Sequence, residues 1–180
     1  LVVEAQLALP PPRAAEILLR VRAVGLNFRD VLNVLGEYPG DPGPPGDDSA
    51  GVLDEASSRL VAAFGLAHAP LACLAIAATS FLVRKPSMLS FEEASTLPVT
   101  WCTTHVAVER AGLRARRTFI VHAAAGGVGL KAVEYAQALC ATSVGTAGRP
   151  RKHVQLRATA IALCSSRDSA AFATGATRLL

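Results

Sequence analysis

The stretch Ile120-Val121-His122-Ala123-Ala124-Ala125-Gly126-Gly127-Val128-Gly129-Leu130 decides the fold of this chain, because an apolar run breaks on glycines and resumes at helical spacing. Residues 118 to 123 read as a short strand buried on both faces. Residues 127 to 140 carry Leu130, Val133, Ala136 and Leu139/Cys140 on one helical face. The glycines therefore sit where a strand turns into a helix. Backbone N–H groups in the first turn of such a helix have no intrahelical partner, and the macrodipole adds positive potential there. Missing side chains let a pyrophosphate come close, so the stretch implies an anion site of dinucleotide size. Against the G-x-G-x-x-G fingerprint the chain reads Ala124-x-Gly126-x-x-Gly129, with alanine in place of the first glycine.

Working outward, residues 143 to 147 form the next expected strand, which runs into Gly148-Arg149-Pro150-Arg151-Lys152. A site for a free ribose 2′-hydroxyl places Asp or Glu about 20 residues after the glycines, whereas a 2′-phosphate needs a small residue and a cation. Here Thr146, Ala147 and Gly148 precede Arg149, Arg151 and Lys152, so NADPH is favoured over NADH. A solvated basic turn is the competing reading of the same residues. A further strand over 160–164 and a turn at Ser165-Ser166-Arg167-Asp168 follow. That makes about three strands after Thr118, where a doubly wound nucleotide domain has six.

Upstream, residues 16 to 24 alternate Ile17, Leu19, Val21 and Ala23 against Arg20 and Arg22, which predicts a half-buried strand. Val31 to Leu35 carries a short helical pattern ended by Gly36. Residues 38 to 48 are loop, because prolines and glycines at this density deny both helix and sheet their hydrogen bonds. Tyr38 sits in that loop, where it either shapes a pocket rim or packs on its own turn. Ser90-Phe91-Glu92-Glu93 is a capping box opening a helix that Pro98 stops or kinks, and a second helix spans 99–111.

With 180 residues, 51% of them hydrophobic, the chain can bury a core, although much of that content is alanine. The formal charge of +4 comes from scattered arginines without interleaved aromatics, so nucleic acid is not an expected partner. Cys73, Cys102, Cys140 and Cys164 lack C-x-x-C spacing and read as buried free thiols of a reducing, cytoplasmic compartment. The four histidines are equally dispersed, and no metal site is expected. Leu1 opens the chain with no targeting signal after it, which reads as an excised piece. Residues 60 to 83 hold no charged side chain and could span a bilayer of about 30 Å. Pro70, Gly65 and His68 argue instead for two buried strands around a loop, with no membrane span.

Four pieces in this order resemble the zinc-independent medium-chain dehydrogenase/reductases, and within them the enoyl reductase domains of polyketide and fatty acid synthases. They are Val21-Arg22-Ala23-Val24-Gly25-Leu26-Asn27-Phe28-Arg29-Asp30-Val31-Leu32, the Gly36-Glu37-Tyr38-Pro39-Gly40 loop, Leu89-Ser90-Phe91-Glu92-Glu93-Ala94 through Leu97-Pro98-Val99-Thr100, and Val121 through Gly129. The resemblance implies an α/β chain with a GroES-like, partly open β-barrel substrate domain (1–95), followed by a truncated Rossmann domain, a doubly wound parallel sheet (96–180). It implies hydride transfer from NADPH to the β-carbon of an α,β-unsaturated thioester on acyl carrier protein, with other synthase domains as neighbours and a homodimer allowed. Carried over by position, Tyr38 and Lys152 are the catalytic candidates, as residue types that donate protons at neutral pH. The cofactor candidates are Asn27, Thr103, Ala125, Gly126, Gly127, Val128, Gly129, Gly148, Arg149, Lys152, Ser166 and Arg167.

The chain also departs from the family pattern. The acidic residue expected after the Ser-Ser-Arg turn is absent, since the chain reads Ser169-Ala170-Ala171-Phe172 there, and the glycine-rich turn after Val52 has become Leu53-Asp54-Glu55-Ala56-Ser57-Ser58. A stand-alone quinone oxidoreductase and a non-catalytic remnant of an enoyl reductase are therefore the two rival readings.

Overall fold

The computed structural model describes residues 9–53, 60–159, 161–165 and 167–179, and the chain divides into two compact units, residues 1–99 and 100–180. The family resemblance sets this division at 95/96. The altered turn at Asp54 to Ser58 and the cofactor candidate Ser166 lie outside the described residues.

The first unit is built on β1 (Glu16–Gly25), β2 (Asp48–Leu53), β3 (Val61–Leu66), β4 (Leu74–Ala78) and β5 (Leu82–Arg84), all antiparallel in the order β4-β1-β2-β3-β5. Alternation along β1 sends Leu19 into a core shared with Ala67, Ala75 and Ala77, against which Val21, Leu53 and Leu82 pack. The uncharged stretch thus becomes short strands around a loop containing Pro70, and no described helix is long and apolar enough to cross a membrane. Helix α1 (Phe28–Leu35) starts earlier than its apolar spacing predicts and ends where Gly36 takes φ +69°, a left-handed conformation that costs glycine nothing.

Helix α2 (Phe91–Ser95) begins at the predicted capping box: Glu93 N donates to Ser90 Oγ at 3.1 Å, and Ser90 N donates to Glu93 Oε2 at 2.8 Å. It ends at Ser95, and Pro98 opens α3 (Pro98–Ala111) instead of kinking α2, because a residue without an N–H is at home in a first turn. Ser90→Ala removes one half of the box. Its expected effect is a loss of about 1 kcal/mol, read as a lower urea midpoint at unchanged m-value.

The second unit alternates β6 (Thr118–Val121), α4 (Gly127–Ala138), β7 (Thr142–Ala147), α5 (Pro150–Arg157), β8 (Ala162–Ser165) and α6 (Ser169–Leu179). Its three strands are parallel in the order β6-β7-β8, so the expected α/β class and the half-sized nucleotide sheet both hold. Val121, Ala124, Ala132, Val133, Ala147 and Leu156 form its core. Helix α6 has no counterpart in the sequence reading, since its run of Ala, Thr and Gly carries a weak helical pattern. Residues 150–157 also differ: Pro150 at the first helical position turns the expected basic turn into α5, with Arg149 as N-cap.

The four cysteines correct a further expectation. Cys164 is buried, but Cys73, Cys102 and Cys140 are exposed, because each falls at a loop or on the outward face of a helix end. Their isolation in sequence carried no information about depth.

Candidate functional site

The site of interest lies in the second unit, at the carboxyl ends of its parallel strands, where open α/β sheets hold their ligands. Chain reversals at three strand ends gather there. A cavity of about 470 Å³ is lined by His122, Ala123 and Ala125 after β6, by Thr146, Ala147, Gly148 and Arg149 at the end of β7, by Arg151 and Lys152 in α5, and by Arg167 after β8. The lining carries four cationic side chains and no carboxylate.

The glycine turn joins β6 to α4 by steric necessity. A Cβ on Gly129 would lie 2.5 Å from Ala123 O and 2.7 Å from Ala124 Cα, both backbone atoms that cannot move aside. Gly126 is the N-cap of α4, its N–H donating to Ala123 O at 2.8 Å, and Gly127, Val128 and Gly129 follow as the first turn. Their N–H groups have no acceptor within the helix. The turn is tied to β7 where Ala124 N donates to Thr146 O at 3.0 Å. Ala124, the departure from the fingerprint, is fully buried, and a Cβ on Gly145 of β7 would lie only 3.0 Å from its Cβ. The methyl group missing at one position makes room for the methyl group gained at the other.

Electrostatics at the end of β7 run against local helix preference. Arg151 and Lys152 occupy the first turn of α5, which holds no acidic residue. Cations there oppose the macrodipole at a cost of about 0.3–1 kcal/mol each. An anion held there would offset that cost. Across the same opening, the Arg167 side chain lies where a Cβ on Gly148 would be, with Nε 2.6 Å from that position. A small residue at 148 is what allows the guanidinium to lie over the strand end.

Of the sequence-derived candidates, the structure thus gathers Ala125, Gly148, Arg149, Lys152 and Arg167 around one cavity, with Gly126 to Gly129 following directly on Ala125. Thr103 is not among the residues lining it. It is exposed on α3 beside Cys102, Val106, Ala107 and Arg110, because helical spacing turns it away from buried Thr104. Thr146, Ala147 and Arg151, read in the sequence as the cofactor-selecting strand end but not named as contacts, line the cavity as well, and so do His122 and Ala123, to which the sequence reading gave no role. What it lacked was the parallel register that sets Val121 beside Gly145.

Tyr38 and Asn27 belong to the first unit. Tyr38 is partly buried in the loop after α1. Asn27 N donates to Asp30 Oδ2 at 2.7 Å and its Nδ2 donates to Asp48 Oδ2 at 3.0 Å. Val99 N donates to the other Asp48 oxygen at 2.8 Å, so one buried carboxylate joins the turn before α1 to the start of α3. Burial raises the Asp48 carboxyl above its ordinary value of 3.8, with Asp47 and Asp30 adding to the rise and the bonds from Asn27 and Val99 opposing it. A raised folded-state value makes the contribution of Asp48 to stability fullest below pH 3.8 and lost as pH climbs through the folded value. Asp48→Asn is therefore expected to gain stability relative to the parent as pH is raised from 3.8 through that interval, in urea melts at stepped pH.

No protein-family model matches the chain. It is 38% identical over 169 residues to erythronolide synthase EryA2 of Saccharopolyspora erythraea, covering 88% of this chain and 5% of that one. It is 36% identical over 159 residues to a quinone oxidoreductase of Pseudomonas aeruginosa, covering 82% of this chain and 48% of that one. Among solved structures, the CurK enoyl reductase superposes with a TM-score of 0.81 at 32% identity, over 91% of this chain and 55% of that chain. The quinone oxidoreductase of Thermus thermophilus, solved also as its complex with NADPH, superposes with a TM-score of 0.74 at 34% identity, over 89% of this chain and 54% of that chain. The chain thus spans about half the length of its oxidoreductase relatives and a small part of the synthase.

Proposed function

Since this chain belongs with the medium-chain dehydrogenase/reductases, we propose that its second unit binds NADPH and that it serves in reducing the double bond of an α,β-unsaturated acyl thioester. The observation that carries the nucleotide reading is the cavity at the strand ends, whose lining holds Arg149, Arg151, Lys152 and Arg167 and no carboxylate. The cation-rich lining suits a ribose 2′-phosphate, and the bare turn at Gly126 to Gly129 suits a pyrophosphate against the N-terminus of α4. NADPH, when bound, supplies the hydride that the β-carbon accepts.

The chain's own residues bind and orient. Arg149, Lys152 and Arg167 hold the phosphate by charge-assisted hydrogen bonds, and Gly129 keeps α4 close enough to β6 to present its first-turn N–H groups. Lys152 sits among the phosphate cations, so a proton-donor role for it would require the substrate carbon in the same cavity. Lys152 is therefore kept for binding, and delivery of the α-carbon proton is left to Tyr38, with Asn27 and Thr103 as further cofactor contacts carried by the family resemblance. An acyl carrier protein would present the thioester, and other synthase domains would be the neighbours, as similarity to the erythronolide synthase supports.

Reduction of a quinone is the second reading, and the similarity to two quinone oxidoreductases favours it. Titration of the chain with NADPH and with NADH, followed by NADPH oxidation with crotonyl thioester or a quinone, separates the alternatives. Saturable NADPH binding with turnover of the thioester is the expected result. Turnover of the quinone alone supports the second reading, binding without turnover supports a non-catalytic remnant, and no saturable binding of either nucleotide overturns the cofactor reading.

A further inference from the structure

The strand-end cavity contains one side chain that neither the fingerprint nor the cation pattern singles out. His122 follows β6 directly, lines the cavity and is exposed to it. Its ring is held on two sides. Its Nδ1 lies 3.3 Å from Oγ1 of Thr146, a fully buried residue of β7, and its ring centroid lies 6.2 Å from that of Phe172 on α6, tilted by 37°.

The Thr146 hydroxyl is the one side-chain group in hydrogen-bond contact with this imidazole among the described residues. Ala123 N donates to Thr146 Oγ1 at 3.3 Å, which uses one oxygen lone pair and leaves the hydroxyl proton free to be donated to His122 Nδ1. A neutral imidazole that accepts at Nδ1 carries its proton on Nε2. In the arrangement Ala123 N–H to Thr146 O–H to His122 Nδ1, Nε2–H is left as a donor on a residue that lines the cavity. The neighbouring groups of the cavity are the side chains of Arg149, Arg151, Lys152 and Arg167, all donors without acceptors. Those four side chains cannot accept the Nε2 proton, and the Thr146 oxygen is already engaged with Ala123 N and His122 Nδ1, whereas a phosphate oxygen can accept it.

We propose that His122 is a further nucleotide-binding residue, donating from Nε2 to a phosphate oxygen of the dinucleotide, and that Thr146 is its positioning residue. The proposal rests on the NADPH reading above. Two phosphate groups could supply the oxygen, the pyrophosphate beside the glycine turn or the ribose 2′-phosphate beside the arginines, and the choice of nucleotide distinguishes them.

The test is calorimetric titration of the parent chain, His122→Ala, His122→Gln, Thr146→Val and the double variant with NADPH, NADH and 2′,5′-ADP, with thermal melts alongside to verify folding. His122→Ala is expected to weaken NADPH binding about tenfold or more, the loss of one hydrogen bond to a charged acceptor. His122→Gln, which keeps a donor, is expected to recover part of that loss. Loss with NADPH and 2′,5′-ADP but not NADH assigns the contact to the 2′-phosphate, and loss with both dinucleotides assigns it to the pyrophosphate. Thr146→Val is expected to weaken binding in the parent background and to add nothing to His122→Ala, which a merely structural threonine would not do. Unchanged affinity of a folded His122→Ala for every nucleotide overturns the proposal, and an additive double variant overturns the positioning role. Failure of the parent to bind any nucleotide refutes the NADPH reading itself, a result distinct from either.

Discussion

Gly129→Ala is expected to destabilise the second unit by about 3 kcal/mol and to remove nucleotide binding with it. The added methyl group would lie 2.5 Å from Ala123 O and 2.7 and 2.8 Å from Ala124 Cα and C, inside the contact distance of backbone atoms that are themselves pinned to β7. Overpacking against rigid surroundings costs about 1–3 kcal/mol, and here the obstacle is the very turn that joins β6 to α4. The glycine three residues earlier makes the control. A Cβ on Gly126 would meet only Ala123 O, at 3.3 Å, so Gly126→Ala is expected to keep its melting temperature within a few degrees while weakening nucleotide binding at the turn. Thermal melts and NADPH titrations on the two variants test the contrast. Equal stability of Gly129→Ala and the parent would remove the steric argument for the turn.

The second large effect concerns coenzyme preference. Arg149→Ala with Lys152→Ala is expected to weaken NADPH binding about 100-fold or more while NADH binding changes little. Each lost hydrogen bond between a cation and a phosphate is worth about 1.5–3 kcal/mol, and a tenfold change in affinity is about 1.4 kcal/mol. The double variant also removes two cations from the start of α5, which relieves the macrodipole and is expected to leave folding intact or slightly improved. Salt dependence gives an independent readout: the fall in NADPH affinity with ionic strength should flatten in the variant. An unchanged NADPH/NADH ratio would defeat the 2′-phosphate assignment and leave the pyrophosphate turn standing.

Parts of both units were legible because their signals are local. An apolar strand, shorter at Thr118–Val121 and less buried than its sequence reads, a glycine turn and a helix follow one another to Ala138 without any help from distant residues, and Ser90 and Glu93 announce α2 within one turn. The C-terminal part was less legible. Pro150 reads as a turn residue until its place at the start of α5 is known, and α6 has too little apolar contrast to register as a helix. Among the first unit's residues, Asn27 shows the same limit from the other side. Its place in a motif marks it, but its carboxamide is engaged by Asp48, a partner 21 positions away in the chain.

What the sequence determined by itself is the class of chemistry: a glycine turn after an apolar strand, an acid-free and arginine-rich end to the next strand, and a motif order that resembles one family of reductases. Those features depend on residues within a few positions of one another, where backbone sterics and helical periodicity act. What only the tertiary structure decided is which of those residues meet. The parallel pairing of β6 with β7 sets Thr146 beside His122 and Gly145 beside Ala124, and α6 sets Phe172 against the same imidazole. Register between strands is a long-range choice made by core packing, so the cavity that joins a histidine after β6 to an arginine after β8 exists only once the sheet has formed.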